Sequence, residues 1–270
     1  MTLRAPLASF DPSILYVLPL GVGNAFTRRF FNSSLLLLAE GRAILVDCPS
    51  PLRRILNDAG HPNGMDIDIG DIDHIVLTHL HGDHCNGLEE FGYYSMYALQ
   101  GRRANLYMLR ENIGPLWNNK LSAVMGGLFK EPASGAEEYT LARYFNVTSW
   151  EEGNVYKLID EPDSNLTFEI HRTRHSVPCF GFRASLGERM FAYSSDTSFY
   201  PELIDFLAPA DLIIHETGPS GNHTALEELL QLPESIRRKM LLIHAPDEYH
   251  DNPHPPIKLA KEGAIYRVMD

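Results

Sequence analysis

Four side chains able to bind a metal stand almost side by side at His79, His81, Asp83 and His84, in the run His-Leu-His-Gly-Asp-His. Imidazole nitrogen and carboxylate oxygen suit zinc first, and also manganese or iron. Two histidines spaced i, i+2 as a strand ends can point both rings at one ion. Gly82 permits a tight turn, after which Asp83 and His84 can face a second ion beside the first. Two metals about 3.5–4 Å apart can share a bridging hydroxide, which is a strong nucleophile at neutral pH. The simpler alternative is four unrelated polar residues at a helix start. Their density directly after the β-rich run Ile75-Val-Leu-Thr78 argues against it. The chemistry implied is that of a metal-dependent hydrolase.

Such a cluster needs elements to hold it. Short apolar runs predict strands over 14–20, 34–39, 43–47 and 74–78, and later over 165–172, 179–185, 190–194, 211–215, 240–244 and 264–268. Helices are predicted over 51–59, ending at Gly60 as a C-terminal cap, and over 201–207 and 225–232. Strands alternating with helices indicate α/β layers. Asp47, His79, Asp196, His215 and His244 all fall at strand ends, where layered α/β proteins assemble their sites. Residues 91–150 differ in texture: they carry both tryptophans, Trp117 and Trp150, and their apolar spacing is more helical. They are read as a helical, aromatic-rich insertion within a single domain spanning 1–270, packing on the sheet or walling the site.

Composition narrows the function. The net charge of -12 disfavours a long polyanion, so a small-molecule substrate is expected over nucleic acid. No apolar run is long enough to span a membrane, and 1–12 holds no apolar stretch of the signal-peptide kind, which predicts a cytoplasmic protein. Cys48, Cys85 and Cys179 lack disulfide-framework spacing and are read as small buried residues.

The run from His79 to His84 resembles the His-x-His-x-Asp-His motif of the metallo-β-lactamase superfamily. The resemblance extends from about residue 14 to about residue 250. It implies a four-layer αββα sandwich and two divalent metal ions. It also implies that His175, Asp196 and His244 complete the ligand set. The first metal would take His79, His81 and His175; the second would take Asp83, His84 and His244; Asp196 would bridge them. Asp47 matches the strand-end aspartate that supports the ligands from behind.

Secondary motifs suggest which hydrolase. His215-Glu216-Thr217 resembles the His-Glu-Ala-Thr motif of the phosphodiesterase branch, best known from ribonuclease Z. Asn222-His223-Thr224 resembles the His-Ser-Thr motif that follows it there. The resemblance implies His215 as general acid, held by Glu216, with His223 and Thr224 binding a phosphate oxygen and Asp83 serving in catalysis. His215 could instead bond a backbone carbonyl, and Thr224 could cap the helix near Ala225. Ribonuclease Z carries a long basic-tipped arm between the third histidine and the bridging aspartate. The short stretch between His175 and Asp196 leaves no room for one. A compact phosphodiesterase acting on a small or cyclic phosphate ester is therefore the main expectation. A lactonase or other ester hydrolase, with Tyr193 or Tyr249 stabilising the oxyanion, is the alternative. A non-catalytic, metal-binding regulatory member is the alternative from another class. The loop Gly21-Val-Gly-Asn-Ala25 could bring Asn24 or Phe26 to substrate. The aromatic segment could bury itself in a homodimer. His61, His250 and His254 are expected to be solvated.

Overall fold

The structure is a computed structural model and describes residues 10–129, 136–159, 161–252 and 255–269. Met1 to Ser9 and His254, for which expectations were stated above, lie outside the described residues. The chain opens with β1 (Tyr16–Gly21), β2 (Ser34–Ala39) and β3 (Arg42–Val46), an antiparallel meander. The helix α1 (Leu52–Gly60) leads to β4 (His74–Val76), which lies parallel to β3. Then come α2 (Gly82–Cys85), α3 (Leu88–Tyr97) and β5 (Ala104–Leu109). After these, α4 (Arg110–Leu116) runs through a π-turn, Trp117–Leu121, into α5 (Ser122–Met125). A small ribbon, β6 (Gly127–Phe129) with β7 (Ala136–Glu138), and α6 (Leu141–Tyr144) precede β8 (Phe145–Trp150).

The second half begins with the antiparallel β9 (Val155–Tyr156), β10 (Leu166–Arg172), β11 (Phe180–Leu186) and β12 (Arg189–Tyr193). It continues through α7 (Pro201–Leu207), β13 (Leu212–Glu216), α8 (Leu226–Leu230), α9 (Glu234–Arg237), β14 (Met240–Ile243) and β15 (Lys258–Leu259). Strands β12 to β15 run parallel. The last strand, β16 (Tyr266–Arg267), returns to the first sheet beside β1.

Two seven-stranded sheets result, ordered β16-β1-β2-β3-β4-β5-β8 and β15-β14-β13-β12-β11-β10-β9. Strand alternation divides the core. Val17, Leu35, Leu37, Ile44, Val46 and Val76 of the first sheet meet Phe168, Phe180, Phe182, Tyr193 and Ile214 of the second. Leu36, Leu45, Ile75 and Leu106 face outward onto Leu52, Ile55, Leu56 and Phe91 of α1 and α3. Ala192, Ile213, Met240 and Leu242 face Leu203, Leu207 and Leu229 of α7 and α8. Both faces of each central strand are buried, so these strands read as continuous apolar runs. The architecture is the expected αββα sandwich.

Three details differ from expectation. Segment 91–150 does carry helices and aromatics, but it also supplies β5 and β8, which extend the parallel part of the first sheet. Gly60 ends α1 in right-handed conformation without capping it, because His61–Asn63 continues as a 3₁₀ turn. Gly64 is the left-handed residue, and Gly60 is needed for packing: a Cβ there would lie 2.6 Å from the Met65 carbonyl oxygen. His250 is not simply solvated, since its ring lies 4.1 Å from that of Phe30. The three cysteines are free and buried. Among the described residues no helix is long and apolar enough to cross a membrane.

Candidate metal centre and active site

The parallel strands β3, β4, β12, β13 and β14 end along one edge, and the polar residues that follow them converge there. Val46 is followed by Asp47, and Val76 is followed by Leu77, Thr78 and His79. Asp196 follows β12 and His244 follows β14. Asp47, Ser195 and His244 all adopt left-handed backbone, with φ of 59°, 51° and 57°. Such conformations cost energy in non-glycine residues and concentrate at functional sites. Here they turn the chain sharply as it leaves the sheet.

The ligand atoms gather into overlapping groups. His79, His81, His175 and Asp196 make one, and Asp83, His84 and His244 make another; within each, the atoms lie within 4.8 Å of one another. Asp196 sits between them. Its Oδ2 is 3.8 Å from Nε2 of both His79 and His175 and 3.5 Å from Nε2 of His244, while its Oδ1 is 3.5 Å from His84 Nε2. Asp83 Oδ2 lies 3.3 Å from His244 Nε2 and 3.4 Å from His84 Nε2. His79 Nε2, His84 Nε2 and Asp196 Oδ1 are buried without a hydrogen-bond partner. Buried polar atoms are rarely left so. Imidazoles and carboxylates with orphaned atoms turned toward one another fit divalent metal ions.

Supporting contacts fix the orientation of these rings. Asp47 is fully buried; its Oδ1 accepts from the Thr78 backbone N–H at 2.8 Å, and its Oδ2 lies 2.8 Å from His84 Nδ1. Thr78 Oγ1 lies 3.0 Å from His79 Nδ1. His175 Nδ1 lies 3.1 Å from the Asn222 carbonyl oxygen. These contacts leave Nε2 of His79 and His84 without a hydrogen-bond partner, while Nε2 of His175 lies 3.0 Å from His81 Nδ1, one candidate ligand atom against another. Thr78 stands directly before the first ligand, which is its only sequence signal. The Asn222 carbonyl has none, because every residue carries one.

The secondary motifs fall differently from expectation. His215 is buried, and its Nδ1 meets the Glu216 backbone carbonyl oxygen at 2.7 Å, not the Glu216 carboxylate. Burial pulls its pKa down to about 4, so it is neutral at pH 7. The Glu216 carboxylate instead accepts from the backbone N–H groups of Thr197 and Thr224 at 3.1 and 2.9 Å. Its Oε2 faces His223 Nδ1 at 3.3 Å. That contact holds the His223 pKa above its ordinary value, while burial raises that of Glu216. The His223 ring stacks on His244 at 5.0 Å, and a ring nitrogen of His223 lies within 4.8 Å of ligand atoms of Asp196 and His244.

Thr224 is also placed otherwise than expected. It is fully buried and its hydroxyl donates to the Thr197 carbonyl oxygen at 2.9 Å, and it does not cap α8. Glu228 accepts from the Ala225 N–H there instead. Tyr193 is fully buried between the sheets, and Tyr249 lines a cavity with Leu226, Leu242, Pro255 and Ile257. The Tyr193 hydroxyl is buried without a hydrogen-bond partner and close enough to Asp47, His84 and Asp196 to feel their charges, whereas Tyr249 lies in that separate cavity. Phe26 is exposed on a turn in which its N–H donates to Asn24 Oδ1, and Gly23 pairs with Ala245 beside His244.

Known proteins share this fold. A crystal structure of the metallo-β-lactamase fold protein YhfI from Bacillus subtilis superposes with a TM-score of 0.71 at 18% identity, covering 94% of this chain and 99% of that one. Human tRNase Z, short form, gives a TM-score of 0.67 at 20% identity, covering 94% and 100%. Both likenesses establish the metallo-β-lactamase fold. In sequence, the Anti-Pycsar protein Apyc1 of Saccharibacillus brassicae is 33% identical over 261 residues, 92% of this chain and 98% of its own length. The protein of that name from Paenibacillus xerothermodurans is 33% identical over 240 residues, 87% and 89% of the two chains. One from Bacillus phage vB_BveM-Goe7 is 33% identical over 245 residues, 86% and 88%. The family model described as Anti-Pycsar protein Apyc1 matches residues 15–266, and the chain belongs to that family.

Proposed function

We propose that the protein hydrolyses a small cyclic phosphodiester, a cyclic nucleotide, in a site that holds two divalent metal ions. The observation that carries this reading is the Glu216–His223 pair set against the ligand cluster. Family membership supports it, since Anti-Pycsar proteins degrade cyclic nucleotides. The net charge of -12 and the short stretch between His175 and Asp196 speak against a large RNA substrate.

His79, His81 and His175 would hold one ion and Asp83, His84 and His244 the other, with the Asp196 carboxylate placed between the two groups. When bound, such ions polarise phosphoryl oxygen and lower the pKa of water. Zinc suits the donor set, and manganese or iron also fit. The remaining work falls to the protein. Asp47 and the Asn222 carbonyl aim the rings of His84 and His175. Asp83 takes a proton from the attacking water as the new P–O bond forms. The Glu216 carboxylate beside Nδ1 favours the protonated form of His223, whose other nitrogen gives a proton to the ribose oxygen as the old P–O bond breaks. His223 thus takes the acid role first expected of His215. Tyr97 and Val124, exposed on segment 91–150, fit a homodimer surface, which light scattering tests.

The test is kinetic. The metal-loaded protein should open cyclic nucleotides. His223→Ala should lose about 10²- to 10⁴-fold on them, the usual worth of a positioned acid. It should lose far less on bis(4-nitrophenyl) phosphate, whose leaving group needs no proton, and should keep both metals. Turnover of lactones without phosphodiesters would overturn the reading. Full activity of the variant on cyclic nucleotides would remove His223 from the acid role.

A further inference from the structure

The ligand His175 stands apart from the others. It lies on an irregular loop between β10 and β11, away from the ends of the parallel strands. The neck of that loop is well tied. Thr173 N–H donates to the Cys179 carbonyl at 3.1 Å, Thr173 Oγ1 donates to the Asp196 carbonyl at 2.8 Å, and Ser198 N–H donates to the Arg174 carbonyl at 2.8 Å. The far side, from Ser176 to Pro178, forms no regular backbone ladder.

One buried side chain reaches this far side from the other half of the molecule. Asn112 of α4 is 2% exposed, and its Nδ2 donates to the Pro178 carbonyl oxygen at 2.9 Å. The adjacent Glu111 makes two contacts of 2.5 Å with the Arg172 guanidinium at the other end of the loop. The two contacts differ in kind. Glu111 and Arg172 are both open to solvent, where an ion pair holds little. Asn112 is buried, so the donor that reaches the Pro178 carbonyl is held in place by the packing around it. Pro178 also has restricted backbone freedom, and a tie at its carbonyl sets the path of the preceding residues.

We propose that Asn112 is a positioning residue that holds the His175 loop in its ligating conformation and so sets the affinity of the metal position that His175 serves. It rests on the metal assignment proposed above, but on no choice of substrate. The helix α4 thereby couples segment 91–150 to one of the two metal positions and not to the other. His84, Asp83 and His244 owe their placement to other contacts, as described.

The experiment is a chelator competition on the zinc-loaded protein, which reads the affinity of each ion separately. Asn112→Ala should weaken one of the two ions about 10- to 100-fold, the usual effect of removing a group that orients a ligand, and leave the second unchanged. Asn112→Gln, which keeps an amide donor, should recover part of the loss. Glu111→Gln should change neither ion. If Asn112→Ala does not fold, Asn112→Thr withdraws the amide donor while keeping nearly the volume of asparagine and carries the same expectation. Two ions of unaltered affinity in a folded Asn112 variant, or equal weakening of both, would overturn the proposal. A wild-type protein that binds no pair of ions would overturn the metal assignment itself.

Discussion

His215 and Glu216 are neighbours in the chain, yet their side chains do different work. Successive side chains of a strand point to opposite faces. Ile213 packs on the helical layer and Ile214 between the sheets, so His215 and Glu216 continue those two faces in turn. Glu216 therefore cannot hold the imidazole beside it and holds His223 instead. That consequence of β-alternation was available from the sequence. The ion pair with His223 was not, because it depends on the loop from Thr217 to Thr224 folding back. The candidate ligands were legible for the opposite reason: from His79 to His84 their spacing is local, and His175, Asp196 and His244 came with the superfamily resemblance. His215 also gives a pH dependence. Its folded pKa of about 4 lies below the ordinary 6.5. The unfolded chain then binds the extra proton, so this contribution is whole above pH 6.5 and is lost as pH falls toward 4. His215→Gln should accordingly lose less stability than wild type between pH 7 and 4.5, by about 2–3 kcal/mol, as read from urea denaturation at the two values.

At the scale of elements, the longer strands of the first and last thirds were readable, whereas β5, β8 and the two-residue β9 and β15 were not. A short apolar run buried on both faces carries no period that separates strand from helix. Ala104–Leu109 is such a run, and it sits among true helices. Helix ends show a similar gap between local signal and outcome. Pro51 precedes α1 and offers no side-chain cap. The cap comes from α3: the Glu90 carboxylate accepts from the N–H groups of Leu52 and Arg53 at 2.7 and 3.2 Å. No local pattern around residue 51 could reveal it. Glu90→Ala should cost about 1 kcal/mol, as for other lost caps. In a differential scanning calorimeter that is a fall of roughly 2–4 °C in Tm.

For the whole molecule, the metal cluster has energetic weight beyond catalysis. It brings five histidines and two aspartates into one partly buried space between the halves. Ions that bind only the folded state stabilise it by mass action, by about 2.7 kcal/mol at a hundredfold excess over Kd. Dialysis against a chelator should lower Tm by roughly 5–10 °C, and added zinc should restore it. An unchanged Tm would show that the empty cluster is no less stable than the filled one. The path of the chain has a consequence of a different sort. Strand β16 pairs Arg267 with Tyr16 and Tyr266 with Val17, so the outer edge of the earliest strand is covered by one of the latest. On the ribosome, chain grows at about 5–20 residues per second. The edge of β1 thus stays open for tens of seconds after it emerges, exposing unpaired N–H and C=O groups to any passing strand. The nascent protein should therefore depend on chaperones that shield strand edges until Tyr266 and Arg267 are made.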